Sequence, residues 1–584
     1  MEDFKFSVDL GGMIDILSNH LYSTPVVFLR ELLQNAVDAV SMRKKTDSSF
    51  DAPEINITVS ENESLIFTDN GSGLTVDEIH KFISVIGQSS KREDKSSFIG
   101  RFGIGLLSCF IVTDEIILRS RSVKTPDKVH EWHGFSNGRY SVTEIESDIG
   151  IGTEIIIRSD EEHRELFNAA DILKHIRYYG LPIPYPIYVS SGNGLKLMAN
   201  AQFINTAKTH EGILRSGKMI FGTETDYVDY IPLESENGLF SGAAYILPYT
   251  VSAASKSRHR IYLKNMLLTE DGSSILPEWA FFLQCFINTD KLQPTASRED
   301  FYQDTLLMQA KEEIGECIAD YLEELSLRDP KMLAKIVDLH GTALKSVAVE
   351  NDKLFDIFMP YFIFETSLGN LTGKELASWE KEIYYTPSID VFRQLRPVFA
   401  EKFELIVNVG YVHERSLVEK LNEKGEAHAE LLRDDLLAEL LEDETDEERF
   451  SFMRKIFTDA LSGYDCKVMI KRFSPPQLAS LYTINTDGEL KRDIEHSKEN
   501  GDSLFSDMLD AFSEEIDETA SSILYLNSTN DLIKKLSASQ DSEKLGVFAL
   551  ILYVQSLISG GFPVYGKEMN IMNENLIKLI EWGI

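Results

Sequence analysis

The stretch Phe28-Leu-Arg-Glu-Leu-Leu-Gln-Asn-Ala-Val-Asp-Ala-Val40 constrains the fold of this chain more than any other. Read as a helix, it places Glu31, Asn35 and Asp38 at i, i+4 and i+7, on one face. Leu29, Leu32, Leu33, Ala36 and Val40 lie largely on the other side. Three oxygen-bearing side chains in one stripe are odd for a core helix. For this helix alone, a solvated face is the simpler reading. The helical pattern runs from Pro25 to Lys45, after an alternating Phe4, Phe6, Val8 that reads as a strand. Short apolar strands follow at Ile55–Val59, Ser64–Phe67, Glu115–Leu118 and Thr153–Ile157. Strands interleaved with helices and paired by short turns predict an α+β fold.

Glycines mark where chemistry could sit. Asp69 ends a strand and is followed by Gly71 and Gly73. Glycine lets the backbone approach a ligand and take positive φ, though a lone Gly-x-Gly is usually a plain turn. Gly100, Gly103 and Gly105 then open an apolar helical run. A glycine-rich loop entering a helix N-terminus offers free N–H groups and a positive dipole to an anion. Gly150-Ile-Gly-Thr153 leads into the last of these strands. Two look-alikes carry nothing. Gly212-Ile-Leu-Arg-Ser-Gly-Lys-Met219 lacks the final Ser or Thr of a phosphate loop and has no apolar strand before it. His130 and His133 sit in an alternating stretch, which points them to opposite faces.

The chain has 584 residues, about three or four domains at ~150 residues each. No internal repeat is visible. Polar, glycine-containing breaks at Ser190–Gly194 and Asn422–Gly425 suggest domains at 1–195, 196–422 and 423–584. The second contains strands at Gly242–Leu247 and His259–Leu263 and a long helix over Thr305–Leu325. In the third, Leu432, Leu436 and Leu440 form a helical stripe, and Glu442–Glu448 reads as a solvated acidic face or linker. The rest is helix-rich. Its apolar stretch Val547–Val554 falls short of the ~20 residues of a membrane span.

Taken in order, Glu-x-x-x-Asn-x-x-Asp, Asp-x-Gly-x-Gly, Gly-x-x-Gly-x-Gly and Gly-Thr are specific as a set. They resemble the ATP-binding fold shared by gyrase-type topoisomerases, ninety-kilodalton heat-shock chaperones, histidine kinases and MutL proteins. The segments Phe28–Val40, Phe98–Val112, Gly150–Ile157, His259–Leu268, Ile275–Leu283, Asp290–Asp300 and Leu524–Leu536 resemble the bacterial HtpG type of heat-shock chaperone. The resemblance implies a two-layer α/β sandwich ATP-binding domain with a lid over about 74–99. An αβα middle domain and a helix-rich C-terminal dimerisation domain would follow. It implies ATP contacts from Asn35, Asp38, Asp69, Gly71, Gly73, Leu74 and Thr153. The loop Gly100, Arg101, Phe102, Gly103, Ile104 and Gly105 would cradle the phosphates. Asp69 would accept the adenine amino group, Asn35 would hold Mg²⁺, and Glu31 would activate the attacking water. Arg298, in a Ser-Arg-Glu segment, would reach the γ-phosphate. Compared with the family, the lid is about a dozen residues shorter. Gln88, Met42, Thr295 and Tyr302 stand where Lys, Lys, Asn and Gln are usual.

Composition narrows the function. The net charge of −36 argues against a DNA-tracking ATPase of the gyrase or MutL type, which needs a basic footprint. It also disfavours anionic membranes. A histidine kinase needs a phosphoacceptor helix pair before the ATP module, and only His20 precedes Glu31. An inactive nucleotide-binding scaffold fits poorly, since Glu31, Asn35, Asp69 and Arg298 are all present. Cys109, Cys285, Cys317 and Cys466 form no CxxC, which excludes a disulfide scaffold and a standard zinc site and suits a reducing compartment. The start, Met1-Glu-Asp-Phe-Lys-Phe, lacks a signal-peptide core. The expectation is a cytoplasmic, ATP-hydrolysing, homodimeric chaperone with ATP and Mg²⁺ as cofactors and unfolded or partly folded clients as partners.

Overall fold

The computed structural model describes residues 24–83, 105–191, 196–200, 208–252, 254–255, 257–295, 299–500 and 522–583. The Phe4–Val8 strand, the lid beyond residue 83, residues 100–104 and Arg298 lie outside them. The chain divides into two compact units, Met1–Leu327 and Arg328–Ile584.

In the first unit, helix α1 (Val27–Thr46) is followed by β1 (Ile55–Ser60), β2 (Ser64–Asp69), β3 (Glu115–Arg121), β4 (Val129–Phe135), β5 (Tyr140–Ile145) and β6 (Gly152–Arg158). Helix α2 (Ala169–Gly180), β7 (Ile187–Ser191) and β8 (Lys196–Met198) complete this part. The strands form one sheet in the order β5-β4-β3-β6-β2-β1-β7-β8. β7 runs parallel to β1, and the other pairs are antiparallel. One face is apolar. Ile55, Ile57, Val59, Ile116, Leu118 and Ile157 bury it under α1 and α2, with Phe28 stacked on Phe167. Each such side chain removed from water contributes about 1.5–3 kcal/mol. The opposite face carries a charge ladder: Arg119 bonds Glu131 at 2.7 Å and Glu154 at 3.2 Å, and His133 bonds Glu115 and Glu131. His130 is buried on the other side of its strand, as alternation predicts.

α1 differs from the solvated-face reading. It is buried nearly all round, Glu31 and Asp38 included. Arg43, Lys44 and Lys45 in its last turn suit the negative end of the helix dipole. The break at 190–194 is not a linker either. β7 and β8 pair across it, Ser190 opposite Lys196, so the sheet continues past residue 195.

The unit continues with α3 (His210–Phe221), β9 (Tyr230–Glu234), β10 (Ser241–Ile246), β11 (Arg260–Leu263), β12 (Met266–Thr269), β13 (Leu283–Thr289) and α4 (Thr305–Arg328). Its second sheet has the order β12-β11-β13-β10-β9. The phosphate-loop look-alike lies inside α3, where Thr209 caps the helix and the Ser216 hydroxyl donates to the Gly212 carbonyl at 2.9 Å.

The second unit begins with α5 (Pro330–Glu350), α6 (Asp352–Phe358), β14 (Ile363–Thr366), β15 (Gly369–Thr372), β16 (Ile383–Thr386), α7 (Ile389–Lys402), β17 (Leu405–Asn408), α8 (Glu414–Glu423) and β18 (Ala429–Leu431). These strands form one sheet, β15-β14-β17-β16-β18. Because β18 pairs with β16, the break at 422–425 lies within the connections of this sheet. Next come α9 (Asp434–Leu440), β19 (Glu442–Asp443), α10 (Glu447–Leu461), β20 (Cys466–Arg472), β21 (Ser480–Ile484), α11 (Thr486–Asn500), β22 (Ser522–Asn527), α12 (Asp531–Ser537), α13 (Ser542–Gly560) and α14 (Gly566–Gly583).

The expected leucine helix is therefore short. Leu432 precedes it, and Leu437 is its fully buried leucine. The acidic run supplies β19 and the first turn of α10, capped by Asp446. The helix-rich end also holds a four-stranded sheet, β19-β20-β22-β21, whose central β22 is buried throughout. Val547–Val554 belongs to α13, which is long and apolar enough by length and composition to cross a membrane. Half of its apolar window is buried in the fold, where Leu545, Leu552, Val554 and Leu557 join the core of this unit.

Candidate active site

Two strands and one helix assemble the site in the first unit. β2 delivers Asp69 at its end, directly opposite Thr153 of β6. Asp69 is buried, and its Oδ1 accepts the Gly71 N–H at 2.8 Å. The turn that follows is forced to be glycine. A Cβ on Gly71 would stand 2.5 Å from the carbonyl carbon of Ala39 on α1. Gly73 has φ +60°, and a Cβ there would overlap the Arg121 carbonyl oxygen. The Ser72 N–H donates to the Ala39 carbonyl at 3.2 Å, and Arg43 donates to the Asn70 carbonyl at 2.7 Å. The turn is thus fastened to α1.

A hydroxyl that sequence reading missed organises this end. Ser120 of β3 is fully buried. Its Oγ donates to the Gly152 carbonyl at 3.0 Å, accepts the Leu74 N–H at 2.8 Å, and lies 3.1 Å from Thr153 Oγ1. A signal was present: Ile116, Leu118 and Ser120 alternate on one face, so a serine falls where the strand points into the core.

One side of α1 supplies the other end. Glu31 is 2% exposed, Asp38 is 3% exposed, and Asn35 between them is half-buried. Taking carboxylates out of water costs several kcal/mol that partners must offset, so a helix selected only for packing would carry apolar residues here. Arg30, also missed from sequence, lies against Glu31, its Nε 3.5 Å from Oε1. The start of a 3₁₀ helix, Gly105–Ile111, abuts the same carboxylate: a Cβ on Gly105 would stand 2.7 Å from Glu31 Oε2. Burial, assisted by the Glu31 charge, pushes the nearby Cys109 thiol far above its usual range. It is an inert core residue rather than a nucleophile. Asn35 presents a half-buried side-chain amide on this face. Its amide oxygen is a hard donor one helical turn from Glu31, which suits Mg²⁺ sharing ligand oxygens and water.

The last expected residue, Arg298, belongs to a loop whose two limbs are described. Pro294 bridges to Phe301. The Thr295 N–H donates to the Asp300 carbonyl at 2.8 Å, and the Tyr302 N–H donates to the Gln293 carbonyl at 2.7 Å. Asp300 Oδ1 accepts from Ser274 Oγ and from its neighbour's N–H, each at 2.7 Å. Thr295 uses its hydroxyl as a second latch on the Asp300 carbonyl, while the Tyr302 side chain is exposed.

The structure brings together Asp69, Gly71, Gly73, Leu74 and Thr153 at one end, and Glu31, Asn35, Asp38 and Gly105 along α1. Gly100, Arg101, Phe102, Gly103, Ile104 and Arg298 lie outside the described residues. Among the described residues, no group of three His, Cys, Asp or Glu side chains is placed to hold a metal.

Residues 22–147 match the model of a family described as histidine kinase-, DNA gyrase B- and HSP90-like ATPases. The chain is 23% identical to the chaperone protein HtpG of Oceanobacillus iheyensis, across 96% of this chain and 97% of that protein. It is 24% identical to the chaperone protein HtpG of Borrelia garinii subsp. bavariensis, across 98% and 99%. It is also 24% identical to a mitochondrial TNF receptor-associated protein 1 homolog of Dictyostelium discoideum, across 76% and 70%.

Proposed function

We infer that this chain, an HtpG-type member of the ninety-kilodalton heat-shock family, is an ATP-dependent molecular chaperone and an ATP hydrolase. The observation that carries the reading is the pairing of a buried Asp69 beside a glycine turn with a buried Glu31 on the helix to which that turn is fastened. The DNA-directed, kinase and inactive-scaffold alternatives gain nothing from this geometry.

The roles follow from chemistry. The Asp69 carboxylate, whose Oδ1 accepts the Gly71 N–H, is an acceptor group and would accept from a purine amino group. Thr153 and Ser120 hold the adjoining wall. Phosphates would then extend along α1 toward Gly105 and the loop before it, where backbone N–H groups suit anions. Asn35 would hold Mg²⁺, which when bound neutralises phosphate charge. Glu31, oriented by Arg30, would accept a proton from the attacking water. Arg298 would meet the γ-phosphate from its latched loop.

The proposed order is an ATP-binding domain, a middle domain and a dimerisation domain; the divisions read from sequence at 195 and 422 move later, since β8 keeps 196–198 in the first sheet and β18 keeps 429–431 in the sheet before it. Self-association is supported by α14, which exposes Met569, Leu576, Ile577, Ile580 and Trp582. Sedimentation of the full chain checks it, with a monomer as the contrary result. Clients would be unfolded or partly folded proteins, and the compartment would be the cytoplasm.

Steady-state ATP hydrolysis, with and without an adenine-pocket competitor, tests the whole reading. Turnover should be inhibited by the competitor and should fall strongly in Arg298→Ala. Turnover insensitive to the competitor would overturn the reading. A wild-type rate in Arg298→Ala would remove that residue from the site.

A further inference from the structure

The second unit contains a cavity that the ATPase reading does not use. Its sheet has a reversed strand order: β16 is flanked by β17, the next strand, and by β18, the one after. All three run parallel. The connecting helices separate accordingly, α7 packing on β21 and α13, and α8 packing on α5. Open α/β sheets hold ligands at the carboxyl ends of their strands, where the strand order reverses. At that position, where β16 and β18 end, lies a cavity of about 520 Å³. Its volume lies within the range of small-molecule sites.

The lining has three chemistries. Val391, Leu437 and Ile484 are buried and apolar. Arg415 and Arg433 are exposed at the border, Arg415 also reaching Glu419 at 2.8 Å. The acid in the lining, Glu489, accepts from the Ser388 hydroxyl at 2.8 Å, and burial holds its carboxyl above the usual range. The wall is therefore less negative than this acidic chain would suggest. An independent observation comes from β21. Thr483 lines the same cavity, is 1% exposed, and its hydroxyl has no hydrogen-bond partner among the described residues. Leaving a buried hydroxyl unpaired is unfavourable, and such groups in native proteins call for an explanation.

We propose that this cavity is a second ligand site, taking a small organic anion whose apolar body packs on Val391, Leu437 and Ile484 and whose carboxylate or phosphate head pairs with Arg415 and Arg433. Thr386 and Leu431 come from one sheet of the unit, and Thr483 and Ile484 from the other. An occupant would tie the two sheets together, and so would bear on motions between them.

The experiment uses the full chain with its ATP site saturated by ADP. Calorimetry compares 1-naphthaleneacetate and 1-naphthyl phosphate with the neutral 1-naphthalenemethanol. Acidic probes of this size should bind with a dissociation constant on the order of 1 mM or tighter. They should bind at least tenfold tighter than the alcohol. The double variant Arg415→Gln, Arg433→Gln changes only exposed side chains and should bring the acids down to the alcohol's level. Leu437→Trp, which fills the cavity, should abolish binding of all three. Equal affinity for acid and alcohol would overturn the proposal. So would unchanged binding in the double arginine variant, or no binding of the acids at 10 mM. Binding only when ADP is omitted would also overturn it, by assigning the probe to the ATP site.

Discussion

The two ends of the candidate active site are built differently. At the Asp69 end, every fixed position comes from neighbouring strands or from a turn bonded to α1. Ser120, Thr153, Gly152 and Leu74 share one hydrogen-bond cluster. At the Glu31 end, the parts proposed above come from distant stretches of chain: α1, the segment beginning the 3₁₀ helix at Gly105, and the loop proposed to carry Arg298. Recognition is assigned to a rigid, locally wired surface. Reaction chemistry is assigned in the proposed reading to separate segments of chain.

The largest effect expected from this contrast is on the reaction end. Glu31→Ala should lower hydrolysis by roughly 10²- to 10⁴-fold, the usual contribution of a positioned base, while ATP binding persists. A loss below about tenfold would move Glu31 to a binding or structural role. Next comes the recognition end. Asp69→Asn should remove measurable ATP binding in calorimetry, because an amide loses the charge and can turn a donor toward the purine's own donor. Wild-type affinity in this variant would break the comparison at its firmer end.

Smaller effects sharpen it. Ser120→Ala leaves the Leu74 N–H without its partner and should destabilise the first unit by about 1–3 kcal/mol. Denaturant unfolding checks this, and a midpoint within error of wild type would remove Ser120 as the organiser. The smallest effect at neutral pH, growing only as pH falls, is a pH dependence on the Arg298 side. His259 is buried, its Nδ1 accepts the Cys285 N–H at 3.1 Å, and burial lowers its pKa from 6.5 to about 4. Its ring packs at Gly272, whose turn leads to Ser274 and so to Asp300. The fold holds this histidine neutral while the unfolded chain titrates near 6.5. Its contribution is therefore complete above that pH and fades as pH falls from about 6.5 to 4, by at most roughly 3 kcal/mol. Melting temperature should drop over that window in wild type and less steeply in His259→Gln. Parallel curves would exclude His259.

Much of this was legible in the sequence, for identifiable reasons. α1, β1, β2, β3 and β6 were found within a few residues, because apolar periodicity and glycine punctuation report local geometry. The places of Asp69, Gly71 and Thr153 at a strand end, in a turn and at a strand start were readable because these have sequence signatures. The 190–194 break misled because a polar glycine turn has the same composition in a hairpin as in a linker, and only the pairing partner distinguishes them. β18 is three residues long, too short for a period. Ser120 was overlooked because its partners lie across space, and Arg30 because sequence does not show that its side chain turns toward the neighbouring Glu31. The burial of Glu31 was also invisible, since a helical stripe of polar residues looks the same facing water or a pocket.

The close approach of Gly71 to Ala39 has a consequence for how this chain can change. A methyl group at position 71 meets the backbone carbonyl carbon of residue 39 as well as its side chain. Trimming Ala39 to glycine would relieve only the side-chain clash. Compensation by a second substitution is therefore closed, and drift at position 71 requires the helix axis itself to move, carrying Glu31 with it. Position 71 is tied by backbone against backbone, as Gly73 is against the Arg121 carbonyl.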